Sequence, residues 1–223
     1  GAPRLKRTIL ILVFLVAVGL VLSGCGKPKT TQITIATGGT AGTYYPLGGA
    51  MAQVFNNKVA NVNATAQSTG ASVENMRLIG KKEVELSFVQ NDIAHYAFNG
   101  QEAFKEKIGN IAAIATLYPE IVQIVVPADS AVQTVADLKG LKVSVGAAGS
   151  GTEANARQIL AAAGLTYNDV EEQFLSFAES ADQFKDKLVH AIFITSGVPN
   201  AAVQDISTSR AVRVLPIAGD IIA

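Results

Sequence analysis

From Gln32 onward, short apolar runs rich in β-branched residues alternate with runs whose apolar side chains recur at helical spacing. Nearly every strand-like run ends in a small, polar, glycine-bearing turn. This alternation restricts the chain to α/β architecture with largely parallel sheets, because parallel neighbours are reached through crossovers that are usually helical. Strands are predicted at residues 33–37, 63–68, 86–90, 111–117, 121–126, 142–146, 173–176, 190–195 and 212–217. The stretches 111–117 and 121–126 read as buried strands, being continuous apolar runs. Helices are predicted at 45–58, 73–79, 92–98 and 153–163, and near 180–188 and 200–206. In the first helix Leu47, Met51, Val54 and Phe55 mark the apolar face, while Gly164 closes the fourth.

The first 31 residues have a different character. Arg4, Lys6 and Arg7 precede Thr8 and an apolar core from Ile9 to Leu22 that is broken only by Gly19, and the next charge is Lys27. A basic start, a core of this length and a small-residue exit are the build of a secretory signal. The exit, Leu22-Ser23-Gly24-Cys25, resembles a bacterial lipobox, in which the cysteine is acylated and becomes the first mature residue. Residues 1–24 are therefore read as a lipoprotein signal peptide, Cys25 as the lipidation site and 25–32 as a lipid-anchored tether. An uncleaved membrane anchor is the alternative, since the charge-free stretch is nearly long enough to span. Either way the remainder lies outside the cytoplasm. Gly1 stands where an initiator methionine is expected, so it is not read as a native N-terminus.

Charge and composition exclude several functions. The chain holds 18 basic and 18 acidic side chains, and without residues 1–24 the balance is 15 to 18, a net charge of −3. A nucleic-acid binder needs the opposite sign. One cysteine and two histidines leave no set of metal ligands and no intramolecular disulfide. Gly149-Ser-Gly151-Thr-Glu-Ala154 fits the dinucleotide fingerprint, but it comes late in an exported chain. The phosphate-loop pattern is absent. The serine-hydrolase elbow fails because Ala148 stands where glycine is required. Neither His95 nor His190 neighbours a nucleophile, so no catalytic residues and no cofactor are expected.

Three turns carry the positive signal: Gly38 to Tyr45, Ser68-Thr69-Gly70-Ala71-Ser72, and Gly149-Ser150-Gly151-Thr152. Free N–H groups at a helix start, together with the helix dipole, suit an anion such as a carboxylate. Each turn alone reads more readily as a helix cap than as a ligand site. Three at the carboxyl edge of a sheet point to a ligand cleft.

Five segments in order sharpen this reading: Gly42-Thr-Tyr-Tyr-Pro-Leu-Gly48, Ser68-Thr-Gly-Ala-Ser-Val-Glu-Asn75, Phe88-Val-Gln-Asn-Asp92, Leu117-Tyr-Pro-Glu120 and Val145-Gly-Ala-Ala-Gly-Ser-Gly-Thr152. Together they resemble the TAXI solute receptors of TRAP (tripartite ATP-independent periplasmic) transporters, over essentially the whole chain from Ile33. The resemblance implies a type II periplasmic-binding-protein fold of two α/β lobes, at 33–125 and 126–223. It also implies a non-enzymatic role and a TRAP membrane permease as partner of a monomeric, membrane-anchored receptor. The implied ligand is a small anionic solute: glutamate, a related amino acid or a dicarboxylate. Family members continue into a C-terminal segment that returns to the first lobe, which this sequence is expected to lack. The stretch 187–191 departs from the family by carrying His190 where relatives have an acidic residue.

Carried over residue by residue, the resemblance puts Thr40, Thr43, Tyr44, Ser68, Gly70, Ala71, Ser72, Gln90, Asp92 and Tyr118 at the ligand from the first lobe. Ser150, Gly151, Thr152, Asn155, Gly197, Val198 and Pro199 face them from the second. Arg77 and Arg157 fall beyond the first helical turn, so helix starts rather than arginines are expected to hold the anion. A ligand-sensing lipoprotein that feeds a signalling system is the alternative function.

Overall fold

A computed structural model describes residues 29–219. The signal segment 1–24 and Cys25 lie outside the described residues. Among those described, no helix is long and apolar enough to cross a membrane.

Two sheets organise the chain. The first has the order β2-β1-β3, with β1 (Thr31–Ala36) central and parallel to both β2 (Val62–Gln67) and β3 (Leu86–Ser87). Its crossovers contain α1 (Tyr44–Lys58) and α2 (Ser72–Gly80), and α3 (Asn91–Asn99) follows β3. The second sheet has the order β6-β5-β7-β4-β8. Its strands are β4 (Ile121–Pro127), β5 (Lys142–Ser144), β6 (Glu171–Gln173), β7 (Ala191–Ser196) and β8 (Val212–Leu215). The helices α4 (Gly151–Ala162), α5 (Phe177–Lys185) and α6 (Ala201–Ser209) connect them. Strand β5 is parallel to β6 and β7, whereas β4 is antiparallel to β7 and β8.

The period-two geometry of a strand explains how the second sheet holds two cores. Along β7, Ala191 and Phe193 pack in the cluster with Leu138, Val143 and Leu160, while Ile192 and Ile194 point the other way onto Phe184, Ala202 and Ile206. Every residue of β7 is buried, as expected of a strand covered on both faces. Local chemistry sets the helix starts. Ser176 and Glu179 form a reciprocal capping box on α5, and the Asn200 side chain accepts from the N–H groups of Ala202 and Val203 at α6. Gly100, in the left-handed region at φ 68°, ends α3.

Several expectations change. Residues 111–117 form no strand: Ile114 is 82 % exposed and Leu117 is 58 % exposed. A continuous apolar run states that a segment is hydrophobic but not that a neighbour pairs with it, and β3 extends only two residues. Strand β4 belongs to the second sheet, so the crossover falls before Ile121 rather than at 125/126. Strand β1 begins at Thr31, inside the segment read as tether. The second sheet is mixed rather than parallel, and His190 is exposed just before β7.

Phe193 is fully buried in the central strand. Phe193→Ala is expected to lower stability by about 3–5 kcal/mol. Val54→Ala, on the exposed side of α1, should change it by under ~0.5 kcal/mol. Urea midpoints of the two variants that differed little would contradict this placement of the core.

Candidate functional site

The glycine-bearing turns converge because all of them follow the carboxyl ends of strands. After β1 come Gly38, Gly39, Gly42, Thr43 and Tyr44; after β2, Thr69 to Ser72; after β3, Gln90. Facing them are Ala147, Ser150, Gly151 and Thr152 after β5, Ser176 and Phe177 after β6, and Thr195 and Ser196 at the end of β7. Glu120, just before β4, closes one side. The cleft they line has a cavity volume of about 70 Å³. The two halves are closed onto each other.

Hydrogen bonds across the cleft hold it shut. Gln90 Nε2 donates to Asn155 Oδ1 at 2.7 Å, and Asn155 Nδ2 donates to Asp92 Oδ2 at 2.9 Å. The Thr43 and Ser196 hydroxyls meet at 2.9 Å. The backbone N–H groups of Val73 and Glu74, at the start of α2, both donate to the Gly149 carbonyl at 3.1 Å. Farther out, Arg157 pairs with Glu102 at 3.2 Å. Apolar contact joins in: Ala154 of α4 packs in the cluster of Val73 and Met76 from α2. Gly151 leaves room for the Gln90 amide at this contact, since a Cβ there would overlap Gln90 Oε1 and push that side chain aside.

The donors still available to a ligand are fewer than the sequence implied. In the second turn, Gly70 N–H donates to Glu74 Oε2 at 2.7 Å and Ala71 N–H to Thr69 Oγ1 at 3.0 Å. Ser72 is fully buried, and its hydroxyl accepts from Gln90 N at 3.1 Å. At α4, by contrast, the Ser150 hydroxyl takes the N–H of Glu153 at 3.0 Å. The helix ladder leaves the N–H groups of Gly151 and Thr152 at the cleft wall.

The charge in the site is negative. Among the described residues neither lysine nor arginine lines the cavity, whereas the Glu120 carboxylate does. Its Oε2 accepts from the Tyr44 hydroxyl at 2.7 Å. Burial pushes the Glu120 carboxyl up to about 7; the Tyr44 hydrogen bond opposes this and nearby Asp92 adds to it. Burial, and then Glu120, raise both the Tyr44 and Tyr118 phenols. The Tyr118 hydroxyl is buried without a hydrogen-bond partner. Tyr44 also stacks on Phe88 at 5.3 Å between ring centres, which fixes its direction.

Of the residues expected at the ligand, Thr43, Tyr44, Gly70, Ala71, Ser72, Gln90, Ser150, Gly151 and Thr152 line the cavity. Asp92 and Asn155 stand behind them in the cross-cleft network. Tyr118 and Gly197 pack together, a Cβ on Gly197 meeting Tyr118 Cε2 at 3.2 Å. Ser68 turns back to donate to the Gly38 carbonyl at 3.0 Å. Thr40, Val198 and Pro199 are exposed and lie away from the cavity. Arg77 donates to the Ala103 carbonyl and lies over the Phe104 ring, and Arg157 is held by Glu102 and Glu153. Sequence reading missed Glu120, although a carboxylate following proline between two apolar runs was a visible signal.

Comparison with known proteins follows this geometry. The NMT1-like family profile matches residues 35–223. The alkanesulfonate-binding protein SsuA of Xanthomonas axonopodis pv. citri, bound to MOPS, superposes with a TM-score of 0.56 at 19% identity, covering 85% of this chain and 61% of that one. A Bordetella bronchiseptica RB50 protein gives 0.62 at 19% identity, covering 85% and 57%. A binding protein component of an ABC phosphonate transporter from Pseudomonas aeruginosa gives 0.61 at 10% identity, covering 84% and 65%. These likenesses show the fold, that of the type II periplasmic binding proteins. The chain spans about three fifths of the length of the first two structures.

Two measurements test the site. A carboxyl raised by folding binds its proton more tightly in the folded state, so stability falls as pH rises from about 4.5 to about 7. Glu120→Gln should remove that slope and raise stability above pH 7 by roughly 1–2 kcal/mol, with solvent screening of the partly exposed group allowed for; parallel pH–stability curves for parent and variant would contradict it. Gly151→Ala should displace the Gln90 amide and open the cleft, giving a larger radius of gyration by small-angle scattering. Equal radii would show that the contact does not hold the halves together.

Proposed function

The chain belongs to the NMT1-like family, and from that premise we propose that it is an extracytoplasmic solute-binding receptor. It captures a small anionic solute of the glutamate, related amino acid or dicarboxylate class and hands it to a membrane permease without chemical change. The observation that carries this reading is the cleft: strand-end turns from two α/β lobes meet around one cavity and are bonded across it. Such a site encloses a solute by closing on it. Contacts formed only in the closed state shift the population towards closure.

The N–H groups of Gly151 and Thr152 at the start of α4 supply the seat for the acid group. The names of two structural neighbours support an acidic solute, one binding alkanesulfonates and the other serving a phosphonate transporter. The five-segment resemblance to TAXI receptors favours a TRAP permease driven by an ion gradient. An ABC-type partner is the second reading, because the Pseudomonas aeruginosa neighbour is a component of such a transporter. Uptake reconstituted with the partner permease would separate the two by its dependence on an ion gradient or on ATP. The receptor acts as a monomer held at the membrane by lipid on Cys25.

Binding to the native state alone raises the unfolding midpoint by mass action. L-Glutamate, L-glutamine, L-aspartate, 2-oxoglutarate and C4-dicarboxylates, each tested in large excess, should include one that raises the midpoint by several degrees. Unchanged midpoints with all of them would remove this ligand class.

A further inference from the structure

We propose that Glu120 selects the solute by pairing its carboxylate with a cationic nitrogen, so that an ammonium-bearing ligand is bound and its des-amino counterpart is rejected. The inference rests on the receptor reading above and narrows its ligand class.

Glu120 lines the cleft, yet the positive charge that would normally accompany a carboxylate in such a place is missing from the walls. Of its two oxygens, Oε2 accepts from the Tyr44 hydroxyl at 2.7 Å. The titratable groups that face it are Tyr44 of α1, Asp92 of α3 and Tyr118 on its own segment, none of which is cationic. A carboxylate withdrawn from water without a counter-charge is costly to a folded chain, and a ligand cation removes that cost.

On the opposite wall the first N–H groups of α4 suit an acid group. A solute with an ammonium at one end and an acid group at the other complements both walls. A plain dicarboxylate puts like charge against Glu120. The raised carboxyl reinforces this geometry. Below about pH 7 the empty site holds a proton that the ligand cation must displace, so affinity should fall as pH falls.

The test pairs L-glutamate with glutarate, L-aspartate with succinate and L-alanine with propionate, using calorimetry and thermal unfolding of the complete protein. The parent should bind at least one amino acid tenfold or more tightly than its des-amino partner. That preference should be lost in Glu120→Gln, and the parent's affinity should weaken by up to tenfold for each pH unit below about 7. The pH series on the unmodified protein keeps the proposal testable even if the variant folds poorly. Equal binding of an amino acid and its des-amino partner overturns the role of Glu120, as does undiminished binding by Glu120→Gln. If des-amino acids or alkanesulfonates bind and amino acids do not, the receptor reading stands and the selection by Glu120 falls. If none of these probes binds, the selection by Glu120 falls, while the receptor reading stands for a solute of another class.

Discussion

The Asn155 amide is the point on which the arrangement turns. It sits one turn into α4, accepts from Gln90 and donates to Asp92, so one side chain ties the second sheet's helix to two residues beyond β3. The Thr195 hydroxyl also donates to it, at 3.1 Å, which ties the end of β7 to the same place. Gly151 makes that approach sterically possible, because any side chain there would occupy the space of the Gln90 amide. The rest of the site follows. The strand ends come together, the N–H groups of α2 find the Gly149 carbonyl, and a small cavity is left among small residues.

The site gives up stability for recognition. A chain selected only to fold would not keep a carboxyl at Glu120, where burial raises it to about 7, nor leave the Tyr118 hydroxyl buried and unpaired. Both lie on the short stretch that leads into β4, whose own side chains are well buried. Poor satisfaction runs a little way into β4, where Gln123 Nε2 is also buried without a partner among the described residues. Departures of this kind concentrate where a protein must meet something other than itself.

What the sequence disclosed divides by range. Helices were legible as elements, although their starts shifted by a few residues: Ser150 rather than Thr152 caps α4, and the Ser176–Glu179 box starts α5 at Phe177 rather than near 180. The three glycine-bearing turns were legible as a cleft from local composition alone. What required knowledge of distant partners was not. Residues 111–117 have the composition of a buried strand, yet no described strand pairs with them. Strand β4 was recognised as a strand, but its neighbours, β7 and β8, are many residues away and place it in the second sheet. Ser72 was read correctly as a helix start, while the consumption of its neighbours' N–H groups by Gly149 lay beyond any local pattern.

Among the described elements the chain passes from the first sheet to the second once, and Glu120 is the last residue before it arrives. In a pair of bodies that rock about such a crossing, displacement grows with distance from the pivot. A pair formed away from the crossing, such as Arg157–Glu102, would move more in such a rocking than a group at the pivot. Glu120 therefore stands at the crossing itself, the place where a relative movement of the two sheets would displace a side chain least.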